Sequence, residues 1–171
     1  MKCRRSFWTL AIVNLLLAAC SSTDTTPAPP VGVVDVTLQP DFEPDPRVLE
    51  GTTSGTTVDA FETYGTDSSG EACAGFVASE PDYVLTLEAG DSGLDSFGYF
   101  NVYVFSEVDT TLVIVRDETG QPQCNDDTFE IDPVIEIDNW PFGTYSVYVG
   151  TFDENVSANY EIEFSQREFA D

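Results

Sequence analysis

The stretch Tyr160-Glu161-Ile162-Glu163-Phe164 decides the fold class, because its side chains alternate strictly between apolar and acidic. Successive side chains of a β-strand point to opposite faces of the sheet, so Tyr160, Ile162 and Phe164 share one apolar face. The two glutamates then share the opposite, polar face. We therefore predict a half-buried antiparallel strand over residues 160–164.

Working outward from this strand, short apolar stretches recur through the chain and are separated by Gly, Asp, Asn and Pro. Thr110–Arg116 is almost continuously apolar, as expected for a strand buried on both faces. Short strands at spacings of about 8–12 residues favour a sandwich or a small barrel. We predict an all-β chain, an antiparallel jelly-roll-like β-sandwich of about eight or nine strands. The predicted strands are 33–38 at a sheet edge, 58–64, 72–78, 83–87, 99–105, 110–116, 134–137, 145–151 and 160–164, with a turn at 51–55.

The N-terminus has the pattern of a secretory signal peptide over residues 1–19. A basic start is followed by an apolar run over residues 7–17 and then by small residues. The run is too short for a spanning helix, which needs about 20 residues. Leu17-Ala18-Ala19-Cys20 resembles the bacterial lipobox, in which Cys20 would be diacylated and become the mature first residue. The alternative is an ordinary cleaved signal in which Cys20 is incidental.

Residues 20–40 are rich in Ser, Thr and Pro and are predicted to form a tether. Such a composition cannot bury enough apolar surface to form a core and favours an extended, solvated chain. The predicted first strand, 33–38, lies at the end of this segment. We place the β-sandwich domain at residues 41–171, which is the size of one ordinary domain.

The charge of the chain is strongly negative, −25, with 31 acidic residues against six basic ones. The signal segment contains Lys2, Arg4 and Arg5 and no acid, so its removal takes the charge to −28. Such a surface repels phosphate backbones, which argues against nucleic acid as a partner. The sequence has no histidine, which excludes Ser-His-Asp and Cys-His catalysis.

Cys73 and Cys124 are the cysteines of the predicted domain. An even pair in an exported protein favours a disulfide. The alternative is a redox pair of free thiols, but the two residues lack a CxxC spacing and a flanking cation. We therefore predict a structural bridge.

Acidic residues concentrate in several predicted turns, and oxygen-rich loops of this kind are typical of calcium sites. No EF-hand spacing occurs, so the alternative is that these residues form solvated turns. Asp109 is predicted to close an Asx turn at the start of a strand. The residues assigned to a calcium site are Asp117, Asn125, Asp126, Asp127 and Asp153.

Trp140 precedes Pro141 and Phe142 at the end of a predicted strand. Two interpretations are open for its side chain. It caps the core, which is the more common fate of a large aromatic residue, or it forms a platform for a ligand.

An ordered series of motifs runs through the chain: Cys73-Ala74-Gly75-Phe76-Val77, Pro81-Asp82-Tyr83, Asp109 to Ile114, Cys124-Asn125-Asp126-Asp127, Asp132-Pro133-Val134-Ile135 and Gly143 to Thr151. This series resembles the bacterial pre-peptidase C-terminal family over about residues 70–165. The resemblance implies a jelly-roll-like sandwich that is not catalytic and is usually appended to secreted enzymes, and calcium is bound by some relatives. We expect the domain here to stand alone behind a lipid anchor, without a peptidase.

Together these features predict a non-enzymatic protein that is exported and anchored by lipid to the bacterial membrane, on the outer membrane or the cell surface. The first functional interpretation is a binding or adhesion module for an extracellular polysaccharide or protein. The second is a structural envelope lipoprotein that acts as an assembly partner or as an accessory to a secreted enzyme. An exposed aromatic patch would favour the first, and an apolar sheet edge or self-association the second.

Overall fold

The computed structural model describes residues 32–53 and 55–168. Across these residues the chain forms eleven strands and one five-residue helix, which confirms the predicted all-β class. The signal peptide and Cys20 lie outside the described residues. The elements are β1 (Val34–Leu38), β2 (Arg47–Thr52), β3 (Val58–Asp59), α1 (Ala60–Tyr64), β4 (Phe76–Val77), β5 (Tyr83–Leu87), β6 (Ser96–Ser106), β7 (Thr110–Arg116), β8 (Gln121–Asn125), β9 (Val134–Pro141), β10 (Gly143–Thr151) and β11 (Asn159–Ser165).

The strands form two sheets in a sandwich-like arrangement, as predicted. In the seven-stranded sheet, β10 is central: it pairs with β5 and β4 along one edge and with β7 along the other. The end strands are β1, which pairs with β5, β3, which pairs with β4, and β8, which pairs with β7. The second sheet has the order β2-β11-β6-β9. The inward faces of both sheets supply one large apolar core.

Strand β11 confirms the alternation from which the fold was predicted. Tyr160, Ile162 and Phe164 are buried in the core, whereas Glu161 and Glu163 are only partly buried. The strand pairs antiparallel with β2 on one side and with β6 on the other. Its central place in the smaller sheet follows from this pairing on both edges.

Strand β7 is buried on both faces, as its apolar sequence predicted. Leu112 and Ile114 face the large core between the sheets. Val113 faces the opposite way, into a second cluster that contains Ala60 and Val77. This second cluster also contains Cys73 and Cys124, whose predicted disulfide is confirmed.

The structure corrects four details of the predicted architecture. The sheet is not wholly antiparallel, because β1 pairs parallel with β5. That pairing also places residues 34–38 within the sandwich, so the tether ends before residue 40. Residues 51 and 52 belong to β2 and not to a turn. Residues 60–64 form a helix, whose N-cap Asp59 accepts a hydrogen bond from the Glu62 N–H at 2.9 Å.

The described part of the chain contains no helix that is long and apolar enough to cross a membrane.

Candidate functional site

The predicted calcium ligands do not converge as one set, because β7 and β8 form a hairpin that separates them. Arg116 pairs with Gln121 near its turn, and Leu112 pairs with Asn125 at its open end. Asp117 follows Arg116, so it lies about 17 Å along the hairpin from Asn125. The Asp117 carboxylate instead accepts a hydrogen bond from the Ser146 hydroxyl at 2.9 Å. The prediction was therefore wrong in joining Asp117 to the other ligands.

Asn125 is engaged in holding the loop that follows β8. Its side-chain oxygen accepts hydrogen bonds from the Thr128 hydroxyl at 2.8 Å and from the Val134 N–H at 2.9 Å. These bonds tie the end of β8 to the start of β9. A structural role accounts for this side chain.

An acidic cluster forms at the open end of the hairpin from Asp109, Asp126, Asp127 and Asp153. Burial raises the pKa of Asp126, and the negative charges of Asp127 and Asp109 raise it further. Burial also raises the pKa of Asp109, and Asp127 and Asp153 add to this effect. Asp109 was predicted to close an Asx turn, and its place in this cluster was not predicted from the sequence.

Among residues 32–53 and 55–168, no three or more His, Cys, Asp or Glu side chains are arranged to hold a metal ion. The calcium site thus stays a prediction, now confined to the acidic cluster.

Asp82 is a partly buried carboxylate at the junction of the two strands that share one edge of β10. Its carboxylate accepts a hydrogen bond from the Val149 N–H at 2.8 Å. On this edge β10 pairs with β5 through Val147 and with β4 at Thr151. Val149 lies between these two pairings, so Asp82 supplies the acceptor that a continuous neighbouring strand would provide.

Two tyrosines complete the surroundings of Asp82. Tyr160 shares a hydrogen bond with the carboxylate, and the phenol oxygens of Tyr160 and Tyr83 are hydrogen-bonded at 3.2 Å. Burial raises the pKa of Asp82 to about 6. The hydrogen bonds to its carboxylate act in the opposite direction and lower the pKa, but burial is the larger effect. Burial also raises the pKa of Tyr83 to about 12. The group is a satisfied hydrogen-bond network at the edge of the core.

A pocket of about 130 Å³ opens between β8 and β9, which are edge strands of the two sheets on the same side of the sandwich. We call it the edge pocket. Gln121 and Pro141 are exposed at its rim, whereas Ile114 and Trp140 are buried. The pocket therefore connects the surface with the large core. Its lining is completed by Arg116, Gln123, Ile137 and Tyr145.

Trp140 reaches the core because the alternation of β9 is broken. Asn139 has a φ of 60°, in the left-handed region that Asn tolerates better than most residues. Ile137 packs against the core and Trp140 is buried in it, although the two residues are three positions apart. The register places Asn139 opposite Gly98, between the pairs Phe97–Trp140 and Tyr99–Asp138. The prediction that the Trp140 side chain packs in the core is confirmed.

Arg116 is held in place from two directions. Its Nη2 donates to the Glu118 carboxylate at 2.9 Å and to the Phe142 carbonyl at 3.3 Å. The Arg116 side chain is 26% exposed. The guanidinium therefore has a fixed position at the wall of the edge pocket.

Two buried donors of the edge pocket have no hydrogen-bond partner within the described part of the chain: Trp140 Nε1 and Arg116 Nε. Both groups can only donate, since neither an indole N–H nor a guanidinium offers an acceptor. Buried polar groups are normally paired, and an unpaired one costs about 1–3 kcal/mol. Both atoms belong to residues that line the pocket, but they expose almost no surface to it.

A second groove, of about 260 Å³, lies on the opposite side of the sandwich between β1 and β2. Arg47 and Glu43 line it together with residues of the β1 edge. The unpartnered buried polar side-chain atoms of the described residues belong to Thr110, Arg116 and Trp140, so none of them is in this groove. Among the described residues, unpartnered buried donors therefore occur on the lining of the smaller edge pocket and not on that of this groove.

No protein-family model and no curated protein matches the sequence. The solved structures that are similar to the chain include two at low identity. One is the pre-peptidase C-terminal domain of collagenase from Bacillus anthracis, with 15% identity, coverage of 80% of this chain and 97% of that chain, and a TM-score of 0.45. The other is Aeromonas hydrophila PliG, a periplasmic inhibitor of g-type lysozyme, with 13% identity, coverage of 78% and 98%, and a TM-score of 0.41.

At these values the likeness conveys no function. Membership of the pre-peptidase C-terminal family stays a prediction from the ordered motifs.

Proposed function

We propose that this chain is a non-catalytic binding module of the bacterial cell envelope, anchored to a membrane through a lipid on Cys20, with the edge pocket as its binding site. The observation that carries the proposal is the pair of unpartnered buried donors, Trp140 Nε1 and Arg116 Nε, on residues that line one pocket. Both donors expose almost no surface to the pocket, so an acceptor from outside the chain reaches them only when a side chain of the pocket wall moves.

The chemistry of the described residues supports binding over catalysis. The edge pocket is lined by donors, amides and apolar side chains, and its one ionic pair, Arg116 with Glu118, is exposed on the glutamate side. Asp82, whose pKa is raised to about 6, is occupied by the Val149 N–H and by Tyr160. Neither place combines a nucleophile with a base.

Binding at the edge pocket is tested by retention of the purified protein on isolated, insoluble envelope polymers. Trp140→Phe keeps a large aromatic ring among Phe100 and Tyr145 but removes the indole N–H. We expect this variant to lose at least tenfold in retention. Tyr148→Phe, which removes a hydroxyl on the side of the second cluster, is the matched control and should be retained like the wild type. Full retention of a folded Trp140→Phe variant would refute binding at this pocket.

The lipid anchor is tested by membrane fractionation of Cys20→Ala. We expect this variant to leave the membrane fraction, because the tether holds the domain only through the acylated cysteine. Cys3→Ala is the matched control, since Cys3 lies at the basic start of the signal peptide. Unchanged membrane association of Cys20→Ala would show that Cys20 is not the anchor.

The second interpretation, an assembly partner or an accessory to a secreted enzyme, is favoured by the free edge of the larger sheet. β1 pairs with β5 alone among the described strands, and the preceding Val33 is 46% exposed. Unpaired strand edges are templates for association. Sedimentation equilibrium distinguishes the two proposals, because an assembly role through this edge predicts self-association or a stable complex with another protein.

A further inference from the structure

We propose that β1 binds a basic, extended segment of another protein by antiparallel strand addition, with alternate apolar side chains of that segment in the groove between β1 and β2. We call the side of Val34–Leu38 that faces away from β5 the open edge. This inference rests on the second interpretation above, an assembly partner, and names its interface and the chemistry of the segment that it binds.

The first argument is the direction of the backbone groups of β1. The Val34 N–H and the Leu38 carbonyl form hydrogen bonds with the residues that flank β5, at 2.9 and 3.0 Å. Backbone groups of successive residues in a strand point to opposite sides. Asp35 and Thr37 therefore direct their N–H and carbonyl groups away from β5, and no described strand pairs with β1 on that side. These groups are available to an added strand.

The second argument is that β1 lacks the features that keep the other end strands of the larger sheet from pairing. β3 has two residues, and β8 contains Pro122, which has no N–H to donate. β1 pairs with β5 in an unbroken register over five residues and contains no proline. Sheet edges that avoid association are normally very short, bulged, covered, or interrupted by Pro or Lys. The open edge can therefore accept another strand.

The third argument is the groove beside the open edge, whose volume is about 260 Å³. The partly buried side chains of Val34, Phe42 and Leu49 line the groove and pack against the large core. A strand added to β1 turns alternate side chains toward this groove. Apolar side chains at those positions cover apolar surface of the groove, so the structure favours a partner with an apolar residue at every second position.

The fourth argument is charge, which favours a basic partner over a second copy of this chain. Asp35 is exposed at the open edge, so outward side chains of an added strand lie beside it. Glu43 also lines the groove, and Arg47 is the one cation among the described residues of its lining. The chain carries −25, so two copies repel each other whereas a basic segment is attracted. The partner therefore alternates basic residues beside Asp35 with apolar residues over the groove.

The experiment uses the purified chain and the peptide Lys-Val-Lys-Val-Lys-Val-Lys, whose lysines and valines lie on opposite faces when it is extended. Lys-Lys-Lys-Lys-Val-Val-Val has the same composition and charge without the alternation and is the matched control. We expect the alternating peptide to bind at least tenfold more tightly by fluorescence anisotropy. When it is bound, the exchange of the Asp35 and Thr37 amide protons with deuterated water should slow at least tenfold. Equal affinities, or unchanged exchange, would overturn the proposal.

Methylation of the peptide backbone separates strand pairing from attraction by charge. Antiparallel pairing is slightly more stable per residue than parallel pairing, and residues directly opposite each other have side chains on the same face. The peptide lysines then lie opposite Asp35 and Thr37, with their N–H groups toward β1. N-methylation of the lysine amides should abolish binding, whereas N-methylation of the valine amides should leave it within threefold. Equal affinities of the two methylated peptides would overturn strand addition, and loss on valine methylation alone would overturn the antiparallel orientation.

Asp35→Lys should weaken binding of the alternating peptide at least tenfold, because it places a cation beside the peptide lysines. Glu107→Lys makes the same change of charge at an exposed position between β6 and β7, and it should stay within twofold of the wild type. Equal losses in the two variants would mean that the peptide responds to net charge alone, and would overturn the open edge as its site.

Sedimentation equilibrium separates failure of this inference from failure of the assembly role. A dimer of the chain alone, with protected Asp35 and Thr37 amides, would overturn the basic partner in favour of a second copy. A stable complex with another envelope protein in which these two amides stay unprotected would leave the assembly role standing and refute the open edge as its interface.

Discussion

Gly51 and Tyr160 are paired across β2 and β11, and the ring of Tyr160 occupies the space that a β-carbon at Gly51 would need. The close approach lets the Tyr160 hydroxyl reach Asp82 and Tyr83 beneath the sheet. Glycine is thus required at position 51 because an aromatic ring lies over its backbone. A turn conformation, which the sequence suggested, is not the reason.

Gly51→Ala should destabilise the protein by about 1–3 kcal/mol, the range for forcing extra atoms into a packed site. The measurement is the free energy of unfolding in urea. Gly98→Ala is the matched control, because Gly98 is also in a strand of the smaller sheet but has no heavy atom within 4 Å of its added β-carbon. If both variants lose the same free energy of unfolding, the ring of Tyr160 is not the reason that position 51 needs glycine.

Replacing Cys73 and Cys124 together by alanine should lower the free energy of unfolding by about 4 kcal/mol in the chain-entropy model. The bridge closes a loop with a sequence separation of 51 and lies in the second cluster, so its loss releases a long segment in the unfolded state. Reduced wild-type protein should melt at the same temperature as the double variant. Two freely alkylated thiols in material from the exported protein would contradict the bridge.

Asp82→Asn should stabilise the protein at neutral pH relative to the wild type. The pKa of Asp82 in the folded protein, about 6, is above the 3.8 of a free aspartate side chain, so the stabilising contribution of this group is fully present below about pH 4. It is lost as the pH rises through 6, because the folded state then holds a charge in a buried place. The loss amounts to at most about 3 kcal/mol.

The measurement is the difference in unfolding free energy between Asp82→Asn and the wild type from pH 4 to 7.5. Asp91→Asn, at an exposed turn, measures the effect of removing one charge from this acidic chain and is subtracted. A difference that does not change with pH would show that Asp82 titrates alike in both states.

Asn139→Val should destabilise the protein by about 1–2 kcal/mol, because a β-branched residue is strained at the left-handed φ of 60°. Asn139→Gly adopts this conformation freely and should be close to neutral. Urea unfolding gives both values, and the emission of Trp140 reports whether the indole stays buried. A valine variant as stable as the glycine variant would mean that the break in alternation needs no special residue.

Calcium should raise the melting temperature by several degrees if the acidic cluster binds it, since a ligand at about 100 times its dissociation constant adds roughly 2.7 kcal/mol. Replacing Asp126 and Asp127 by asparagine should abolish this shift. Asp117→Asn should leave it intact, because Asp117 lies at the other end of the hairpin. The melts compare calcium, magnesium and EDTA at equal ionic strength. Equal stabilisation by magnesium would identify general screening of a negative surface.

The sequence by itself determined the features that depend on short-range patterns. The alternation of residues 160–164 and the apolar run of β7 predicted strands, because side-chain period and burial follow from the chain geometry of a strand. The Cys73–Cys124 bridge followed from the count of cysteines in an exported domain. The strands β2 and β8 were missed, since their sequences, RVLEGT and QPQCN, are polar and pair at or near sheet edges.

Only the tertiary structure decided which side chains meet. The separation of Asp117 from Asp126 depends on the register of a hairpin, and the burial of Trp140 beside Arg116 depends on one left-handed residue, Asn139. Neither is visible in composition or spacing, because a contact between residues far apart in sequence is set by strand pairing and not by local propensity. The two unpaired donors of the edge pocket also depend on the tertiary structure, because an N–H lacks a hydrogen-bond partner only when packing has removed it from water.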